Sequence, residues 1–151
     1  MNSGGLERHV ARMVDLFETL SPQDIVRLPE YYAAGVQFKD PFNEVAGVGE
    51  VQRIFRHMFE SLDEPRFVVR DVISHGEKCF LTWDMMFRFR RFDRAPQAIR
   101  GASLLVFDMN GRVVLQRDYW DAAEELYEKL PLLGALMRWL KRRVTRTRAR
   151  P

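Results

Sequence analysis

Between Arg66 and Trp120 the apolar residues of this 151-residue chain recur largely at every second position, whereas in the helical stretches ahead of it they recur at threes and fours. A period of two sends successive side chains to opposite faces of a strand, and a period near 3.6 gathers them on one stripe of a helix. Strands are therefore expected over Phe67–Ile73, over Phe80–Arg90 with Leu81, Trp83, Met85, Phe87 and Phe89 on one face, and over Ile99–Phe107. Arg91 to Ala98 reads as a polar connection. Asp108-Met109-Asn110-Gly111 has the composition of a tight turn and leads into a last strand, Arg112–Trp120. Helices followed by a meander predict an α+β fold.

Leu6, Val10, Met13, Val14, Phe17 and Leu20 form the stripe of an opening helix. Ser21-Pro22-Gln23-Asp24 then restarts the chain. Ser is a favoured cap, Pro suits the first helical position and an acid suits the third, so a short helix is expected through Leu28 toward Tyr32. After Gly47-Val48-Gly49 a third helix turns Val51, Ile54, Phe55, Met58, Phe59 and Leu62 inward and Arg53, Arg56 and Glu60 outward. Asp121 to Val144 reads as two helical pieces joined near Pro131, the second apolar along Leu132, Leu133, Leu136, Met137 and Leu140. The expected organisation is a disordered start over 1–5, one domain over 6–122, a helical extension over 123–144 and a basic tail over 145–151.

Hydrophobic residues make up 46% of the chain, enough for one sizeable core but not two. No apolar stretch has the length of a bilayer span and the opening residues do not read as a leader, so a cytoplasmic location is expected. Cys79, the single cysteine, lies in an apolar run and reads as a small core residue. Seven basic residues and no acid occupy the last fourteen positions, which leaves 17 basic against 21 acidic residues, a formal −4, for the rest. The excess charge is thus terminal. Nothing in the body marks a specific nucleic-acid site, and the Arg-rich tail is expected to touch anionic surfaces weakly or to solubilise the chain.

Val36-Gln37-Phe38-Lys39-Asp40-Pro41-Phe42 brings one carboxylate to the end of an extended run among aromatic residues. Proline disfavours the helical region for the residue before it and has no amide proton, so the strand ends at Asp40. Two readings stay open: a general base delivered to an enclosed space, or a turn residue bonded to nearby backbone amides.

Other chemistry is poorly supported. His9, His57 and His75 fall in separate elements, so no metal set is expected. Neither glycine cluster has the pattern of a phosphate loop, and Ser103 lacks the glycines of a nucleophile elbow. No cofactor is implied. Polar residues do alternate on apolar strands: Thr82, Asp84 and Arg88 share one face of one strand, and Gln116 and Asp118 precede Trp120 with the same parity on another strand. Acids grouped on an inner face would perturb one another's ionisation. Charged residues are seldom fully buried, so alternation alone favours the solvated face.

The order helix, helix, Asp-Pro-Phe turn, helix and meander ending in Tyr119-Trp120 resembles the nuclear transport factor two-like superfamily, and within it ketosteroid isomerases and SnoaL-like polyketide cyclases. The similarity rests on Val36–Phe42, Phe107–Val113 and Tyr119-Trp120, and spans about residues 6 to 122. It implies a cone-shaped curved sheet, mixed or antiparallel, wrapped around a long N-terminal helix, with an apolar pocket for a small organic ligand and commonly a homodimer. It places Asp40 where the isomerases hold their proton-shuttling base and Trp120 beside it, with Phe42 also at the ligand. Tyr32 falls in their tyrosine network, and His57 stands where that network has another tyrosine. Leu16 and Ser103 replace the two oxyanion-hole donors, a kind of stabilisation worth roughly 3–4 kcal/mol per donor removed, so steroid isomerisation is not expected. By the same correspondence Asp84, Arg88, Ser103 and Asp118 point inward.

Three functions follow. One is a cofactor-free isomerase, cyclase or hydrolase-like enzyme with Asp40 as general acid or base, His57 and Tyr32 orienting it, and Ser103 with Arg88 holding an oxygen. Another is a non-catalytic module for an apolar metabolite. The third is a dimeric interaction protein with a basic tail.

Overall fold

The computed structural model describes residues 3–91, 94–127 and 142. Helix α1 (Ser3–Thr19) starts three residues ahead of the expected Leu6. It buries Leu6, Val10, Met13, Leu16 and Phe17 against the sheet. A 3₁₀ helix (Pro22–Glu30) follows, with Ser21 donating both its amide N–H (2.9 Å) and its hydroxyl (2.7 Å) to the Asp24 carboxylate. These hydrogen bonds hold the Asp24 pKa below its ordinary value.

Six strands make one curved, unclosed sheet: β1 (Tyr32–Lys39), β2 (Glu44–Ala46), β3 (Leu62–His75), β4 (Lys78–Phe89), β5 (Gln97–Phe107) and β6 (Val113–Tyr119). Helix α2 (Val48–Ser61) interrupts the run after β2. The strand order is β2-β1-β6-β5-β4-β3, antiparallel except for the parallel pair β1–β6, so the sheet is mixed. The parallel pair brings the first strand, and with it Asp40, beside the last. With α1 and α2 packed on the concave face, this is the cone of the nuclear transport factor two-like fold.

The period of two in β4 is read directly by burial. Cys79, Leu81, Trp83, Met85 and Phe87 are buried, whereas the intervening residues are half-buried or exposed. Strand β3 is longer than the expected Phe67–Ile73, because its hydrogen-bonded register with β4 runs from Leu62↔Phe89 out to the exposed pair His75↔Lys78. The β5–β6 turn needs Gly111, whose φ of +75° suits glycine and whose missing Cβ leaves room for the His9 ring.

Past β6, Asp121 caps the short helix α3 (Ala122–Glu125) by accepting from the amides of Ala123 and Glu124. The expected helix around Leu132–Leu140 and the basic tail lie outside the described residues. No helix among the described residues is long and apolar enough to cross a membrane.

Candidate functional site

The register of the sheet decides which polar residues meet. Ser103 pairs with Asp118 on β6 and with Leu81 on β4, and Leu105 pairs with Gln116 and Cys79. Directly paired residues share a face, so Ser103, Gln116 and Asp118 join the buried side of β4 inside the cone. Thr82, Asp84 and Arg88 have the opposite parity.

Inside, five residues form one chain of hydrogen bonds. Trp83 Nε1 donates to Ser103 Oγ at 2.9 Å, and Ser103 Oγ donates to Asp118 Oδ1 at 2.6 Å. Gln116 Nε2 donates to the same Oδ1 at 2.9 Å, while the buried Tyr32 hydroxyl donates to Gln116 Oε1 at 2.6 Å. Asp118 Oδ2 accepts no hydrogen bond from the described residues. Burial pushes the Asp118 carboxyl up to about 6; the bonds from Ser103 and Gln116 oppose this and the negative charge of Asp40 adds to it. Burial, and secondarily the charge of Asp118, raises the Tyr32 hydroxyl well above its ordinary value, so Tyr32 stays a donor.

This chain floors a cavity of about 30 Å³, walled by Phe17, Phe55, Phe67, Val69 and Trp83, with Ser103, Gln116 and Asp118 as its polar side. A single water needs roughly 10–15 Å³ by this measure, so the cavity takes a group of a few heavy atoms and not a polycyclic ligand. Asp118 also borders an open groove of about 590 Å³, together with Lys39, Asp40, Pro41 and Trp120. One carboxylate thus belongs to both the interior and the rim.

Asp40 fills the turn role. Its Oδ1 accepts from the amides of Phe42 and Asn43, each at 2.7 Å, and the Asn43 side chain donates to both of its oxygens at 3.0 and 3.1 Å. Because Pro41 brings no amide proton, the carboxylate reaches past it to the next two N–H groups. Asp40 lines the rim groove but not the cavity. Phe42 packs edge-on against Trp120 with ring centroids 5.4 Å apart and lies 6.0 Å from Tyr127, so these rings flank the same rim.

Three expected site residues are elsewhere. His57 is exposed on α2 and lines no part of the cavity. Asp84 and Arg88 do not point inward as the resemblance implied. Asp84 pairs on the outer face with Arg70, 2.8 Å from Nη2, and Arg88 is exposed and donates to the Arg94 carbonyl at 3.1 Å. Trp83, which the sequence marks only as a core residue, is the missed member. Its indole lies across Gly101, its partner in the register, where a Cβ would fall 2.4 Å from the ring. A glycine inside a strand is the signal of such a close approach.

Among the described residues no group of histidine, cysteine and acidic side chains is arranged to hold a metal ion. Cys79 is fully buried, and burial raises its thiol pKa.

The model of the SnoaL-like domain matches residues 10–116, more than half of the sequence. The chain belongs to the SnoaL-like family. Solved structures share its fold at low identity. An NTF2-like protein of unknown function from Burkholderia pseudomallei is 20% identical with a TM-score of 0.67, the match covering 79% of this chain and 92% of that one. A putative SnoaL-like polyketide cyclase from Jannaschia is 15% identical, TM-score 0.67, with 79% and 87% covered. A hypothetical protein with a ketosteroid isomerase-like fold from Catenulispora acidiphila, in complex with trimethylamine, is 13% identical, TM-score 0.66, with 78% and 88% covered. No curated protein sequence matches the chain significantly. Membership in this SnoaL-like family is consistent with a ligand-binding protein or an enzyme of cyclase, isomerase or hydrolase type.

Proposed function

We propose that this SnoaL-like protein is a cofactor-independent acid/base enzyme acting on a small organic substrate, with Asp118 as the proton-transferring group. The observation that carries this reading is one carboxyl with a pKa of about 6 on the polar side of an aromatic-walled cavity, one oxygen fixed by Ser103 and Gln116 and the other unclaimed. A group that titrates near neutrality is populated in both forms, so it takes and returns a proton at little cost. Ser103 and Gln116 orient the carboxylate, and Tyr32 fixes Gln116 in turn. Asp40, Phe42 and Trp120 flank the approach. The Catenulispora neighbour's complex with trimethylamine supports a ligand of this small size in such a fold.

The test is turnover. In a screen of small ketones, lactones, epoxides and amines followed by NMR, a substrate found with the native chain loses about 10²–10⁴-fold in rate with Asp118→Asn, the usual weight of a general acid or base. Asp40→Asn costs less than tenfold. Equal turnover by Asp118→Asn and the native chain contradicts the assignment.

One observation favours a second reading, a binding module without chemistry. The cavity-wall donors Trp83 Nε1 and Ser103 Oγ are both committed within the network, which leaves few groups to stabilise an oxyanion. A ligand that stays on the purified protein unconverted, seen by native mass spectrometry, supports the module over the enzyme.

A further inference from the structure

Half of the eight residues lining the cavity are aromatic, Phe17, Phe55, Phe67 and Trp83, and no lysine or arginine is among the eight. The one ionisable group there is an acid. Aromatic rings carry a negative face that attracts cations within about 6 Å of the centroid, and a carboxylate in low dielectric needs a partner. The cationic side chains near Asp118 are engaged in the rim. Lys39 pairs with Glu44 at 3.3 Å, and Arg117 lies 4.8 Å over the Tyr119 ring. The other titratable groups facing Asp118 bring no positive charge: Asp40 at the end of β1 is acidic, and Tyr32 is a neutral hydroxyl spent on Gln116. A ligand is thus the source of positive charge that this interior can take, and its size is limited to a few heavy atoms.

We infer that the cavity selects a small protonated amine, its alkyl groups against the four aromatic side chains and its N–H directed to Asp118 Oδ2. Carboxylic acids and phosphates are disfavoured, since the interior offers them a like charge. The inference deepens the acid/base reading by giving its substrate a class, and both rest on Asp118 facing the ligand. Binding a cation favours the ionised carboxyl, so below the Asp118 midpoint uptake of the amine releases a proton to solvent.

The probes are trimethylammonium chloride and tert-butanol, similar in shape and different in charge, titrated by NMR into the full chain between pH 5 and 7.5. At pH 7.5 the ammonium binds at least tenfold more tightly than the alcohol. Below the Asp118 midpoint its affinity falls by about tenfold per pH unit, because the proton competes with it, while that of the alcohol does not. Asp118→Asn, with its folding checked by its melting transition, weakens the ammonium at least tenfold more than it weakens the alcohol. The pH series needs no variant, so the proposal stays testable should Asp118→Asn fold poorly. Equal affinity for the two probes overturns the amine class, as does failure of the ammonium to bind. If amine selectivity fails while turnover of another substrate still depends on Asp118, the acid/base reading survives alone. If the ammonium binds independently of pH and of Asp118, the carboxylate is not at the ligand and both readings fall.

Discussion

Ser103 and Asp118 face each other across the β5–β6 pair, joined by a 2.6 Å hydrogen bond from the serine hydroxyl to Oδ1. The same serine accepts from the Trp83 indole, so one hydroxyl couples the acid to the aromatic wall. Ser103→Ala removes a donor that favours the ionised carboxyl and strands the indole N–H in the core. The expected result is a fully folded but weaker protein, by about 1–3 kcal/mol in chemical denaturation. Its Asp118 midpoint should lie above that of the native chain.

The pH dependence of stability follows from Asp118. Its carboxyl is raised from 3.8 to about 6 on folding, so between these values the folded chain holds a proton that the unfolded chain has lost. The stabilisation is complete below the unfolded value, falls as pH rises through that window, and is gone above about 6. Asp118→Asn has no such group. Relative to the native chain it should therefore gain on the order of 1–2 kcal/mol between pH 4 and pH 7.5, allowing for the partial exposure of the side chain. Urea denaturation of both proteins at the two pH values measures the difference. A constant gap contradicts the assignment.

Gly101 stands where the Trp83 ring crosses β5. Gly101→Ala places a methyl against that ring, and because the alanine is backbone-anchored the indole must yield. Overpacking of this kind costs about 1–3 kcal/mol, or a fall of roughly 2–4 °C in melting temperature per kcal/mol for a chain of this size. The Trp83 indole N–H resonance should also move as its bond to Ser103 is lost.

Asp40 acts on the site through its charge. Asparagine can keep the turn, since its side-chain oxygen accepts from the same two amides. Asp40→Asn removes the negative neighbour that raises the Asp118 carboxyl, so the Asp118 midpoint should move below about 6 with little change in melting temperature. A pH titration of this variant beside the native chain checks the sign.

Much of the architecture was legible because it rests on local periodicity. Leu81, Trp83, Met85 and Phe87 announce one face of β4, Ser21–Asp24 announces a helix start, and the resemblance carried by Asp40-Pro41-Phe42 and Tyr119-Trp120 points to the cone. The site was only half legible. Parity sorts residues within a strand, but which faces of different strands coincide depends on register, and register is a property of the pairing. That is why the inward assignment held for Ser103 and Asp118 and failed for Asp84 and Arg88, which sit on the opposite parity from Trp83. Asp40 shows a different limit. The sequence places it at a turn, yet whether its oxygens face a hollow or the amides of Phe42 and Asn43 depends on the path of the next three residues.

The account depends on Asp118 being an acid tuned by the interior of the cone. Carbon-13 NMR of the side-chain carboxyls, titrated from pH 3 to 9 and assigned with Asp118→Asn, measures this directly. The prediction is one aspartate whose midpoint lies near 6. A midpoint for Asp118 near the ordinary aspartate value of about 3.9 contradicts it.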